Sequence, residues 1–222
     1  MNLCFHGGTH AAQTLSEAAR RRGFKITGEK DADIVFMSAD TPTDKEGRRE
    51  TLSIRANVLE VFFRFRGPIV VTSQVEPGFM RGLDKPSNVY HMAETLRVED
   101  AIQRAMYPEM IIFGSANGVW HQEVHDYCSA WDCPVILGSY EDAEFAKMAI
   151  NAHLAMQVDT ATWLAAIAER VGADWRIVQR VLRHDRRIGK YSYLTPGDWR
   201  KSSHILRDMV TLEGYEPRPP IP

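Results

Sequence analysis

Residues 2–22 read NLCFHGGTHAAQTLSEAARRR, and this stretch decides the fold class. Residues 2–6 form a short apolar-rich run, Gly7 and Gly8 break it, and from residue 11 to 22 small and apolar residues recur at helical spacing. A strand, a glycine turn and a helix in that order form the opening unit of an α/β layer. The alternation continues downstream. Strands are expected at residues 24–28, 33–38, 68–75, 87–92, 110–113 and 134–137, with helices at 50–65, 98–106 and 122–131. The fold class is therefore α/β: a reduced Rossmann-like, mostly parallel sheet over residues 1–140.

From residue 141 the character changes. Residues 141–170 contain no Gly or Pro and are rich in Ala, Met, Leu and Ile, which predicts one long helix, closed by Gly172. A second helix is expected at 174–182. A helix this long, with this many small and apolar residues, calls for partners on more than one side. Residues 141–215 are therefore read as a long-helix dimerisation and pocket region giving a homodimer. Ala149, Ala152, Ala155 and Ala166 would allow close approach, and Met148, Met156 and Trp163 would fill the contact. The Pro-rich residues 216–222 are expected to be a mobile end without regular structure.

Bulk properties narrow the function. The 222 residues carry 27 Lys and Arg against 29 Asp and Glu, a net charge of −2, which leaves no electrostatic footprint for nucleic acid or an anionic membrane. The arginines at 20–22 and 183–187 read as solvated helix ends. Cys4, Cys128 and Cys133 form neither a CxxC pair nor a disulfide framework, which fits a reducing compartment. With no basic-then-apolar leader and no apolar run of spanning length, a cytoplasmic location is expected. His121 and His125 share a helix face, but no third ligand stands at a clear spacing, so no metal site is expected. The five tryptophans read as core or interface anchors.

Several segments together resemble the UDP-glucose/GDP-mannose dehydrogenase family. Residues 36–42 read FMSADTP where the family has an apolar strand ending in Val-Pro-Thr-Pro. Residues 70–78 read VVTSQVEPG against a strand and Ser-Thr-Val-Pro-Pro-Gly, and residues 92–97 read MAETLR against Asn-Pro-Glu-Phe-Leu-Arg. Pro108 and Gly114 follow without a gap. Ala143, Glu144, Lys147 and Asn151 sit as in the family's Ala-Glu…Lys…Asn-Ala helix. Gly172-Ala173-Asp174, Arg187-Ile188-Gly189 and Pro196-Gly197 then come in order. The resemblance runs from about Asp33 to Asp208.

The departures carry as much information. Residues 29–32 leave no room for the helix, strand and helix that normally intervene there, so the outermost strand of a 3-2-1-4-5-6 sheet is expected to be missing. The family's second nucleotide-binding domain is expected to have no counterpart in these residues. In the dinucleotide turn, Gly7 and Ala12 fit the first and third positions, but Thr9 replaces the second glycine and would crowd a pyrophosphate. Lys30 falls on the ribose-binding acid with Glu29 beside it. Thr41 and Pro42, and Ser73 and Gln74 in the next loop, lie along the path of a cofactor, NAD or NADP.

The resemblance implies oxidation of a nucleotide sugar through a thioester on a cysteine in a Gly-Gly-Ser-Cys-Phe-Pro-Lys-Asp loop. Here Ser202 and Ser203 replace Gly-Ser, His204 takes the cysteine position, Arg207 the lysine, and Asp208 is kept. An imidazole cannot form a thioester, which closes the covalent route. The family's oxyanion-stabilising lysine falls at Gln157 and a helix asparagine at Thr162, while Glu94 retains the glutamate of Asn-Pro-Glu. The acids Glu94 and Asp208 survive, and with the replacements Gln157, Thr162 and His204 the resemblance implies at most a two-electron oxidoreduction with His204 as general base. The alternative is a non-catalytic pseudo-dehydrogenase serving as a binding or assembly scaffold. A competing reading of residues 198–212 is a packed helix with Ile205, Met209 and Leu212 inward and His204 in solvent.

Overall fold

The computed structural model describes residues 1–45, 48–83 and 88–218. The chain divides into two compact units. The first comprises Met1–Asp44 and Arg49–Lys147, the second Lys45–Arg48 and Met148–Pro222.

The first unit is a seven-stranded sheet with helices. Its strands are β1 (Asn2–His6), β2 (Lys25–Ile26), β3 (Ile34–Met37), β4 (Ile69–Val71), β5 (Val89–Ala93), β6 (Ile111–Ser115) and β7 (Val135–Ser139). The order is β2-β1-β3-β4-β5-β6-β7, and all neighbours are parallel except β5 and β6. Every strand read from the sequence is present; residue 87, the expected start of the fifth, lies outside the described residues. β2 is the edge strand and pairs with β1 through Asn2–Lys25 and Leu3–Ile26, while Ile26 packs against the core. It leads directly, through a 3₁₀ turn at Glu29–Asp31, into β3 on the other side of β1.

The strand period of two sorts the core into two layers. Leu3, Ile34, Phe36, Val70 and Tyr90 pack on one face with Tyr127 and Trp131, and Phe5 and Phe36 stack at 4.8 Å. Cys4, Val35, Met37, Ile69 and Val71 pack on the other with Ile54, Val58 and Val61 of helix α2 (Leu52–Arg64). β3, β4 and β5 are buried along their whole length, as strands covered on both faces must be. Helix α1 (His10–Arg21) starts a residue earlier than expected because Thr9 caps it. Helices α3 (Ala101–Met106) and α4 (Gln122–Ser129) complete the covering layers.

Helix α5 (Tyr140–Val171) runs uninterrupted for 32 residues and ends at Gly172, whose φ of +73° is the left-handed stop expected there. Its last part belongs to the second unit, with α6 (Trp175–His184) and α7 (Ser203–Tyr215). Asp174 caps α6 by accepting from Arg176 N at 2.9 Å. Ala155 of α5, Trp199 and Met209 form a small core in this unit, with Ala152, Met156 and Ile205 against it. Of the tail, residues 219–222 lie outside the described residues. Among the described residues, no helix is long and apolar enough to cross a membrane.

Candidate functional site

Parallel pairing places the C-terminal ends of β1, β3, β4 and β5 along one edge of the sheet, where open α/β sheets bind ligands. A cleft of about 210 Å³ lies there, lined by His6 and Gly7 after β1, Ser38 and Ala39 after β3, Ser73 after β4, and one face of α2 including Asn57, Glu60 and Arg64.

The glycine turn is built tightly against β3. Gly7 has φ +108°, and a Cβ there would stand 1.7 Å from the Ser38 carbonyl oxygen, so only glycine fits. Thr9 does more than crowd the turn. Its Oγ1 accepts from Ala12 N at 3.1 Å and shares a hydrogen bond with Ser38 Oγ at 2.8 Å. One of the helix N-terminal donors that a phosphate would use is thus already taken. Ala12 is buried and small, as the third position requires.

Glu29 is also engaged. Arg64 clamps its carboxylate through two hydrogen bonds, Nε to Oε1 at 2.6 Å and Nη2 to Oε2 at 2.9 Å, and His6 Nε2 meets Oε2 at 2.7 Å. The Arg64 bonds, helped by His6, hold the Glu29 carboxyl below the usual carboxylate range. Arg64 also binds Glu60. Of about four lone-pair positions, Glu29 retains about one for a ribose hydroxyl. Lys30 is exposed, Thr41 buried and Pro42 exposed. Ser73 Oγ accepts from Ala39 N at 2.8 Å, tying the loops after β3 and β4 together. His6, Ser38 and Arg64 had no place in the sequence reading. Arg64 lies 35 residues from Glu29, and no local pattern joins them.

Glu94 follows β5 at the same edge. Burial pushes its carboxyl above the ordinary value, against the hydrogen bond from Leu96 N and the charges of Lys147 and His10. In the second unit the other expected residues have partners of their own. Asn151 Nδ2 donates to Asp208 Oδ2 at 2.6 Å, both side chains buried. Gln157 Oε1 accepts from Tyr193 N at 2.8 Å, and Thr162 Oγ1 accepts from Gly197 N at 2.9 Å, so both pin residues 193–197. His204 is exposed on α7, while Met209 is buried and Ile205 packs on the small core. This agrees with the packed-helix reading from Ser203 onward, with Leu212 only half-buried. All three cysteines lie in the first unit, and burial raises each thiol, Cys128 to about 12.

Comparison with known proteins follows the same division. Residues 141–212 match the UDP-glucose/GDP-mannose dehydrogenase family, central domain. UDP-glucose 6-dehydrogenase YwqF of Bacillus subtilis is 26% identical over 201 residues, covering 83% of this chain and 46% of that protein. UDP-glucose 6-dehydrogenase TuaD of the same organism is 27% identical over 82% of this chain and 42% of its own length. The fold of a UDP-glucose dehydrogenase from Pyrobaculum islandicum matches with a TM-score of 0.72 at 19% identity, over 96% of this chain and 63% of that one. Residues 141–212 thus resemble the family's central domain, and the chain as a whole is similar to UDP-glucose dehydrogenases. It spans less than half the length of the curated UDP-glucose 6-dehydrogenases named above. A GDP-mannose dehydrogenase from Pseudomonas aeruginosa also matches, at 26% identity and a TM-score of 0.63. Among the described residues, no strand lies outside β2, where the 3-2-1-4-5-6 order has its outermost strand, as the short connection from β2 to β3 requires.

Proposed function

We propose that the chain binds a nucleotide or nucleotide sugar at the C-terminal edge of its sheet and performs at most a two-electron, NAD(P)-dependent oxidoreduction. The observation that carries this reading is the cleft beside Gly7, Ser38, Ala39 and Ser73, open at the position where dehydrogenase folds hold their cofactor. The turn fits a dinucleotide at Gly7 and Ala12. Gly7, Thr9, Glu29 and Lys30 would hold its pyrophosphate and ribose, with Thr41, Pro42, Ser73 and Gln74 along its path. A nicotinamide cofactor bound there would supply hydride transfer. Glu94 at this edge is the candidate for the substrate side; Gln157, Thr162, His204 and Asp208, which the resemblance also implies, belong to the second unit, where Asp208 is buried against Asn151. The family's four-electron oxidation is not proposed, because no cysteine stands at or near position 204 to carry a thioester.

A second reading is a non-catalytic scaffold. The internal partners of Thr9 and Glu29 favour it, since the chain itself satisfies groups that a dinucleotide would use. Thermal unfolding with NAD, NADP, UDP-glucose and GDP-mannose separates the two. A ligand at 100 times its dissociation constant adds about 2.7 kcal/mol of stability. No shift with any of them at millimolar concentration would leave the scaffold.

A homodimer through the long helix is part of the proposal, with Trp163 kept in the contact and Met148 and Ala155 removed from it. Met148 and Ala155 are fully buried within the chain and cannot fill a contact with a second copy. The exposed stripe on α5 is Trp163, Ile167 and Val171, at a spacing of four. Large exposed apolar residues in one row mark a surface for association.

A further inference from the structure

Glu144, one turn into α5, is 1% exposed. Its two oxygens hold the turn that follows β4: Oε2 accepts from Gly78 N at 2.6 Å and Oε1 from Met80 N at 2.8 Å. Gly78 has φ +91°, and Phe79 and Met80 are core residues, so these two bonds fix a backbone that has turned sharply inward. The charges around the carboxylate are mostly negative. Glu76, on the same turn, has a buried Oε2 without a hydrogen-bond partner among the described residues. Glu141, one turn back on α5, is paired with Arg81 at 2.9 and 3.0 Å, so Arg81 brings little net positive charge. Tyr140 completes the surroundings. Burial, with Glu141 and Glu76 adding to it, pushes Glu144 up to about 7 against the two amide bonds.

We propose that Glu144 is a pH-operated anchor for the turn at residues 76–80, gripping both amides firmly when ionised and one of them only weakly when protonated. A carboxylate accepts strongly on each oxygen, whereas a carboxylic acid carries a proton on one oxygen, which then accepts only weakly. Protonation therefore weakens the bond from either Gly78 N or Met80 N, and the turn shifts in response. The same loop begins with Ser73, whose Oγ is bonded to Ala39 N on the cleft wall, so the anchor sets one rim of the cleft. The device stands whether or not that cleft binds a nucleotide.

Amide proton shifts of the whole chain, followed by NMR from about pH 5 to about pH 9, read it directly. Gly78 and Met80 are expected to titrate together with a midpoint near 7. Glu76→Gln removes one repelling charge and should lower that midpoint; Glu144→Gln should abolish the titration. If Glu144→Gln does not fold, the Glu76→Gln shift still decides. Flat amide shifts across the range, or a midpoint unmoved by Glu76→Gln, overturn the proposal.

Discussion

Asn151 and Asp208 are joined side chain to side chain at 2.6 Å in the second unit, where neither is exposed to solvent. What stands there is a buried hydrogen-bonded pair. Asp208→Ala leaves the Asn151 amide without this acceptor and should cost about 1–3 kcal/mol. His204→Ala, at an exposed position, should stay within about 0.5 kcal/mol. Urea denaturation measures both, and equal effects would contradict the different roles assigned to them.

Gly7 and Gly8 should respond oppositely to the same change. Gly7→Ala drives a Cβ into the Ser38 carbonyl at a left-handed φ, and is expected to cost well over about 1 kcal/mol. A Cβ on Gly8 meets nothing within 4 Å, so Gly8→Ala should be nearly neutral. Thermal unfolding of the two variants side by side is the check. Tolerance at Gly7 would mean that the turn does not pack on β3 as described.

Two buried groups should give stability opposite pH dependences in the same window. His91 is wholly buried, its ring bonded to the Val71 backbone, and burial lowers it from 6.5 to about 4. The unfolded chain then binds more protons between those values, so this contribution is lost as pH falls from about 6.5 towards 4. Glu144 is raised from 4.5 to about 7, so the folded chain binds more protons and stability is lost as pH rises through that range. Each shift corresponds to roughly 3 kcal/mol, and the two largely cancel. Glu144→Gln should unmask stability that rises with pH, and His91→Gln stability that falls. Urea midpoints near pH 5 and pH 6.5 decide the signs, and matching slopes in the two variants would refute the pairing.

Incubation with UDP-glucose and NAD should yield no UDP-glucuronate. The chain lacks a cysteine at position 204, and Gln157 stands where a lysine would stabilise an oxyanion, a loss worth about 10²–10³ in rate. Two equivalents of NADH per sugar, sustained over many turnovers, would be incompatible with both arguments.

The proposed dimer contact has its own variant. Replacing Trp163 and Ile167 by Glu should convert a dimer to a folded monomer, because both side chains are already in solvent within one chain. Ala155→Glu should instead unfold the chain, since Ala155 is buried in the second unit's small core. Light scattering with circular dichroism separates the outcomes. A wild-type chain that is monomeric at high concentration removes the dimer altogether.

The sequence by itself determined the strands, the glycine turn, the long helix and its stop. These are set by short-range physics: a period of two or 3.6, a glycine where φ turns positive, and a capping Thr or Asp beside the helix it caps. Through the resemblance it also implied that the thioester route is closed, because the identity of one residue is enough for that. Only the tertiary structure decided what each polar group would bind. Arg64 reaches Glu29 across 35 residues, Ser38 reaches Thr9 across 29, and Glu144 reaches Gly78 across 66. Packing also decided that Met148 and Ala155 face inward while Trp163 does not. Such pairings depend on how strands and helices are placed in space, and a helix face looks the same in sequence whether it meets its own core or a second chain.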